Sequence, residues 1–167
     1  MHTVRLANEK DYNFFYKDYI KNCGNDDDLA KKHANASIYI NRSIVIEIDS
    51  QIIGSITWAI RDGINSGLVE IFQMSILNEF RGQGYGNILL ENCLEDVTEF
   101  YKSKNTSIRK IFILILESNI IGRNLYRNHD FKMEHALVNL RRTNERDLLY
   151  VREFKEVATV AEYANKT

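Results

Sequence analysis

The chain has 167 residues and a formal net charge of −1, and 44% of its residues are hydrophobic and 27% charged. This length and balance are typical of one globular domain and exclude a disordered or fibrous chain. The near-neutral charge, without a long run of Lys or Arg, argues against nucleic acid or an anionic membrane as a partner.

The sequence shows no pattern typical of a membrane span, a signal peptide or a zinc site. No stretch reaches the roughly 18 apolar residues of a membrane span, and the first ten residues hold no signal-peptide core. Cys23 and Cys93 form no Cys-x-x-Cys pair, and the four histidines do not show the spacing of zinc ligands. We therefore predict a cytoplasmic protein without a metal site.

In the first half, hydrophobic spacing predicts strands that alternate with helices. A strand over 2–6 is followed by a helix from the cap Asn8 to about residue 20, a turn over 22–28 and a short helix over 29–36. β-Branched runs predict strands over 43–48 and 52–60, joined as a hairpin, and a third strand over 68–77.

The second half begins with a glycine-rich turn and a long amphipathic helix, which carries Cys93 on its apolar face. The nearly all-apolar segment 109–116 predicts a strand covered on both faces and central in its sheet. A helix over 119–128 and a hairpin of 131–142 and 147–154, with its turn at 143–146, follow. We predict one domain over residues 1–155 and a C-terminal tail over 156–167.

The glycine-rich turn is Arg81-Gly82-Gln83-Gly84-Tyr85-Gly86. Unpaired amides of a first helical turn and the helix dipole attract an anion, glycines let the backbone approach it, and Arg81 adds a positive charge. A turn that only bends the chain is the alternative. A dinucleotide fingerprint is excluded because Asn87 or Leu89 stands where it needs a third glycine, and a nucleotide-triphosphate loop because Gly-Lys-Ser/Thr is absent.

This turn resembles the Arg/Gln-x-x-Gly-x-Gly/Ala motif of the GNAT superfamily of N-acetyltransferases, in which it binds the pyrophosphate of coenzyme A. The segment from Asn119 to Phe131 resembles the family's Asn-x-x-Ala-x-x-Leu-Tyr-x-x-x-Gly-Phe, with Gly122 for alanine and Asp130 for glycine. The resemblance covers nearly the whole chain. It implies acetyl-CoA as cosubstrate and an α/β fold, a single GNAT-like domain whose mixed sheet of about seven strands is flanked by about four helices.

Acetyl transfer to an amine needs a base for the amine proton and an acid for the departing thiolate. Glu70 stands among apolar neighbours, where desolvation is expected to raise its pKa toward that of a general base. Its position also resembles that of the catalytic glutamate in the family's histone-acetylating branch. A solvent-facing, structural Glu is the alternative.

Helical spacing places Asn119, Gly122, Arg123 and Tyr126 along one stripe. Tyr126 is the candidate general acid and Asn119 a candidate hydrogen-bond partner of the cofactor, and the family gives these roles to the matching positions. The alternatives are a packing residue and a helix cap. From the resemblance, backbone amides near Met74 and Ile76 are expected to bind the pantetheine. The predicted cofactor-binding residues are therefore Met74, Ile76, Arg81, Gly82, Gln83, Gly84, Tyr85, Gly86 and Asn119.

Acceptor recognition is not fixed by the sequence. In relatives the acceptor site is walled by the loop between the first two helices and by the terminal hairpin. Three aspartates in that loop, Asp26, Asp27 and Asp28, favour a cationic acceptor. Four arginines in the hairpin favour a carboxylated or phosphorylated acceptor instead. These are Arg141, Arg142, Arg146 and Arg152.

We therefore predict an N-acetyltransferase that acts on a primary amine of a small molecule or peptide by direct attack. The alternative is a catalytically inactive coenzyme A-binding sensor or assembly protein. A homodimer formed through the last strand or the tail is left open.

Overall fold

A computed structural model describes residues 1–138, 140 and 144–154. These residues contain seven strands, β1 His2–Leu6, β2 Arg42–Ile48, β3 Gln51–Arg61, β4 Leu68–Ile76, β5 Lys110–Leu116, β6 Lys132–Leu137 and β7 Asp147–Glu153. They also contain four α-helices, α1 Tyr12–Asn22, α2 Asp27–Asn35, α3 Tyr85–Ser103 and α4 Ile120–Arg127. The strands form one mixed sheet in the order β1-β2-β3-β4-β5-β7-β6, so the predicted α/β fold is confirmed.

One compact unit comprises residues 1–59 and 71–96. Its strands β1 and β2, and β2 and β3, pair antiparallel. The predicted hairpin between β2 and β3 turns at Asp49 and Ser50, whose φ angles of 49° and 66° suit a tight two-residue turn. Phe15, Ala34 and Val45 are fully buried and pack in one cluster, which joins α1 and α2 to β2.

Polar contacts hold the part of α3 up to Asp96 in the same unit. The carboxylate of Asp96 accepts hydrogen bonds from Arg42 at 2.6 and 3.0 Å and from the indole of Trp58 at 2.9 Å. A Cβ on Gly54 would lie 2.5 Å from Cδ1 of Ile76 and 2.6 Å from the carbonyl oxygen of Ser75, so a glycine is required there. These contacts position the end of β4 and the helix that follows the glycine-rich turn.

The other unit comprises residues 60–70 and the described residues from 97 onward. The first three residues of β4 pair parallel with β5, from Leu68 with Lys110 to Glu70 with Phe112. On its other side β5 pairs antiparallel with β7, which pairs with β6. The prediction that the strand near 109–116 lies inside the sheet is thus confirmed.

Several boundaries differ from the predicted ones. Helix α1 begins at Tyr12, after a 3-10 turn over Glu9–Asp11 that Asn8 caps, and it ends at Asn22 rather than at about residue 20. Helix α2 begins at Asp27 rather than at residue 29, because the Asp26 side chain accepts a hydrogen bond from the Leu29 amide and caps the helix. Strand β6 ends at Leu137 rather than at residue 142, since its ladder partner β7 begins at Asp147. The first residue of the predicted turn at 143–146, the end of the domain at 155 and the tail over 156–167 lie outside the described residues.

Candidate functional site

The glycine-rich turn after β4 depends on backbone conformations that favour glycine. Gly82 and Gly84 have φ angles of 75° and 86°, in the left-handed region. A Cβ at either position would meet no atom within 4 Å. Glycine is therefore favoured at these two positions by the backbone conformation and not by packing. The surface of the turn is open, so a ligand can approach it closely.

Backbone amides follow one another around this turn. In the described part of the chain, the amides of residues 82–86 donate no hydrogen bond, and the first helical bonds run from Asn87 and Ile88 to the carbonyl of Gly84. They lead into α3, whose 19 residues carry a substantial helix dipole. This arrangement provides several donors and a positive partial charge for one anion.

The side chains of the turn tie it to its surroundings. Nε of Arg81 donates to the carbonyl of Ile76 at 2.9 Å, which holds the guanidinium beside the end of β4. Nε2 of Gln83 donates to the carbonyl of Glu79 at 3.0 Å. The ring of Tyr85 lies edge-on to Phe80, with 6.3 Å between the ring centroids. Arg81 thus adds a fixed positive charge, whereas Gln83 and Tyr85 stabilise the turn.

Met74 and Ile76, the predicted pantetheine contacts, lie in the last three residues of β4 and are half-buried. The ladder of β4 with β5 covers only residues 68–70 of β4. The backbone groups of β4 beyond Glu70 therefore do not pair with β5 in that ladder.

Glu70, the predicted base, lies at the third position of β4 and is partly buried, with 18% of its side chain exposed. Its Oε2 accepts a hydrogen bond from Nε of Arg61 at 2.6 Å. Its Oε1 accepts none from the residues that the structure describes. The Glu70 carboxylate is thus ion-paired, where apolar surroundings were expected. Sequence reasoning missed its partner Arg61, whose only signal is its place at the end of the preceding strand.

Asn119 caps helix α4, because its Oδ1 accepts a hydrogen bond from the Gly122 amide at 2.9 Å. The cap interpretation is therefore confirmed, and Nδ2 of the same side chain remains a donor. A Cβ on Gly122 would lie 2.8 Å from that Nδ2, which explains how the glycine suits this cap.

Tyr126 lies on the inner side of α4 with 3% of its surface exposed. Its ring packs edge-on against Phe131 at a centroid distance of 5.4 Å. Between them, Asp130 adopts a φ of 65°, and the Phe131 amide donates to the Tyr126 carbonyl at 3.1 Å. The tight turn thus forms although aspartate stands at its left-handed position. The burial and the ring contact fit the alternative of a packing residue as well as that of a general acid.

Four of the charged residues proposed for acceptor recognition are engaged locally. Asp26 caps α2, and Asp27 accepts hydrogen bonds from Tyr16 and Lys31. Arg146 pairs with Glu117, while Arg152 lies 3.9 Å from Asp130 and over the ring of Phe154. Arg141 and Arg142 lie outside the described residues. Neither group of charges therefore identifies the acceptor.

Among the described residues, no group of three or more His, Cys, Asp or Glu side chains could hold a metal ion. No helix among them is long and apolar enough to cross a membrane.

Comparison with known proteins gives a family model, described as an acetyltransferase (GNAT) domain, that matches residues 40–133, more than half of the chain. Among solved structures, the ribosomal-protein-S18-alanine N-acetyltransferase of Escherichia coli is similar with a TM-score of 0.75 at 12% identity, over 95% of this chain and 99% of that one. An N-acetyltransferase of Staphylococcus aureus Mu50 has a TM-score of 0.69 at 21% identity, over 93% and 99%. NAA60 of Arabidopsis thaliana, in complex with acetyl-CoA, has a TM-score of 0.69 at 15% identity, over 92% and 99%. At such identities the structures share the fold.

Proposed function

Because the chain belongs to the GNAT acetyltransferase family and is thereby an acetyl-CoA-dependent acyltransferase, we propose that it acetylates a primary amine of a small molecule or peptide by direct attack. The amine nitrogen bonds to the acetyl carbonyl carbon, the carbon–sulfur bond breaks, and coenzyme A leaves as a thiol. The observation that carries this proposal is the open turn at residues 82–86, whose consecutive amides have no other acceptor in the described part of the chain.

The turn and its neighbours fit a diphosphate and an amide-containing arm. The amides of Gly82, Gln83, Gly84, Tyr85 and Gly86 would hold the pyrophosphate, with Arg81 neutralising part of its charge. The backbone of Met74 and Ile76 and Nδ2 of Asn119 are proposed to bind the pantetheine. Bound in this way, acetyl-CoA supplies a thioester activated for transfer.

Glu70 is proposed to take the proton of the amine, directly or through one water molecule. The ion pair with Arg61 fixes the orientation of the carboxylate. Because Arg61 occupies Oε2, the other carboxylate oxygen can receive the proton. The exposed fraction of the side chain leaves a route for water.

Tyr126 is proposed to donate its phenolic proton to the departing thiolate. Its burial supports this role, since a hydrogen bond to a developing charge is stronger where water is excluded. The packing of its ring against Phe131 fixes the direction of the hydroxyl.

The test is release of coenzyme A thiol from acetyl-CoA in the presence of polyamines, aminoglycosides, amino acids and peptide N-termini. We expect turnover with at least one class, and a large loss of kcat in Glu70→Gln and in Tyr126→Phe while coenzyme A still binds in calorimetry. Glu99→Gln, an exposed acid of α3 paired with Lys102, serves as the control. A protein that binds coenzyme A but acetylates no amine would support the inactive sensor instead.

Cytoplasmic location belongs to the same proposal. Cys23 is exposed and Cys93 buried, and both are free thiols. Free thiols suit a reducing compartment. Cell fractionation tests this location, and recovery in an extracellular or membrane fraction would contradict it.

A further inference from the structure

Asp18 of α1 is a nearly buried carboxylate without a cationic partner. It is 8% exposed, and it accepts hydrogen bonds from Nδ2 of Asn22 at 2.8 Å and from Nε2 of Gln73 at 3.0 Å. In the described part of the chain, no Lys, Arg or His nitrogen lies within 4.0 Å of its oxygens. Carboxylates are rarely buried so far without a counter-charge, so the position favours a cationic ligand.

Asp18 lines a cleft of about 590 Å³ that runs along α1. Phe14 of α1, Ile52 of β3 and Leu77 at the end of β4 supply its apolar surface. A volume of this order suits a small-molecule ligand. Asp18 is thus a buried carboxylate at the wall of an open cleft.

Lysines stand along the same cleft. Lys10, Lys17 and Lys21 line it, and none of them has a carboxylate within 4.0 Å among the described residues. Arg5, in contrast, is engaged by Asp11 and Glu47 at 2.7 and 2.5 Å. The cleft therefore presents an unneutralised carboxylate and several unneutralised ammonium groups.

We propose that this cleft binds the acceptor, that Asp18 attracts its amine, and that Lys17 and Lys21 bind an acidic group on the same molecule. The acceptor is then a small amine with a carboxylate or phosphate, of which an α-amino acid is the simplest form. This rests on the proposed function and narrows its substrate. Gln73, which donates to Asp18, precedes Met74 in β4, so this hydrogen bond connects Asp18 to the strand that we assign to the pantetheine.

Spacing along α1 limits the distance between the two groups. At about 1.5 Å per residue, Lys17 and Lys21 lie within one turn of Asp18, whereas Lys10 precedes α1 and is eight positions from Asp18 along the chain. Lys17 and Lys21 therefore suit an acidic group close to the amine. Lys10 suits only a longer acceptor.

The substrate test compares each α-amino acid with its own carboxamide, which keeps the amine and loses the anion. We expect at least one amino acid to be acetylated with a KM at least about 10-fold below that of its carboxamide, because a charge-assisted hydrogen bond is lost. Equal use of acids and carboxamides overturns the assignment. Acetylation of other amines, with neither acetylation nor calorimetric binding of any amino acid, also overturns the assignment. Absence of coenzyme A binding, or of acetyl transfer to any amine, would instead overturn the proposed function.

Substitutions of Asp18 and of the two lysines test the contact with the amine and the contact with the acidic group separately. Asp18→Asn should raise KM by about 10- to 100-fold for acid and carboxamide alike, while the dissociation constant of coenzyme A stays unchanged. The double variant Lys17→Met/Lys21→Met should raise KM for the acid alone, and it remains informative where Asp18→Asn fails to fold. Lys102→Met, an exposed lysine of α3, is the matched control. An unchanged ratio of the two KM values in the double variant overturns the role of the lysines.

Discussion

Arg61 and Glu70 form an ion pair in which Nε of the arginine lies 2.6 Å from Oε2 of the glutamate. The arginine side chain is 45% exposed and the glutamate side chain 18% exposed. The pair therefore contributes little to stability, since water screens it. Its importance lies in the orientation of the carboxylate and in the oxygen that it leaves available.

The first prediction separates these two effects. Glu70→Gln should lower kcat/KM by about 10²- to 10⁴-fold, because the amide cannot accept the amine proton. Arg61→Met should cost roughly 10-fold or less, because the base is kept and only its orientation is lost. Steady-state kinetics measures both. Equal kcat/KM values in Glu70→Gln and the control Glu99→Gln would remove Glu70 from the mechanism.

The second prediction concerns the phosphate-binding turn. Gly84→Ala forces a side chain into a φ of 86°, at a cost of about 1–2 kcal/mol, and we expect the dissociation constant of coenzyme A to rise by at least about 10-fold. Gly63→Ala is the matched control, because Gly63 also has a positive φ and open space around its Cβ position. Both variants should lose stability in denaturant titrations, because both place a side chain at a positive φ. If both bind coenzyme A equally well in calorimetry, the turn does not hold the cofactor.

The fold was predictable where local pattern and long-range packing agree. The apolar run near 109–116 identified β5, and the glycine spacing at 82–86 identified the turn, since both signals are contained in a few consecutive residues. The partner of Glu70 was not predictable, because Arg61 meets it only after two strands have come together. Asp18 carried a weak signal, as an acid three residues after the buried Phe15 on an amphipathic helix, but its contact with Gln73 spans 55 positions.

The third prediction concerns the turn before Phe131. Asp130 has a φ of 65°, so Asp130→Gly should raise the free energy of unfolding by about 1 kcal/mol, and Asp130→Ala should lower it by a similar amount. Asp130→Asn separates conformation from charge, because asparagine tolerates the left-handed region and has no charge. Its denaturation midpoint should match that of the natural chain, since Arg152 lies 3.9 Å away and Asp130 is 86% exposed. A lower midpoint in Asp130→Gly than in Asp130→Ala would contradict this account.

The last prediction is a pH dependence of stability that arises from His33. Its Nε2 is buried and has no hydrogen-bond partner among the described residues, and its ring lies 5.3 Å from that of Tyr19. Burial lowers the pKa of His33, and the nearby Asp18 opposes this only partly. Below about pH 6.5 the unfolded chain therefore binds more protons at this residue than the folded chain does. Stability should fall as the pH falls from about 6.5 toward the lower pKa of the folded state.

His33→Gln removes this titration, so the difference in unfolding free energy between the natural chain and the variant should shrink between pH 7.5 and pH 5.5. The slope cannot exceed about 1.4 kcal/mol per pH unit, the limit for one proton. Urea titrations at several pH values measure it. His135→Gln is the control, because His135 is exposed on β6 and its loss should leave the slope unchanged. If the two variants show the same pH dependence, His33 is not the group that titrates.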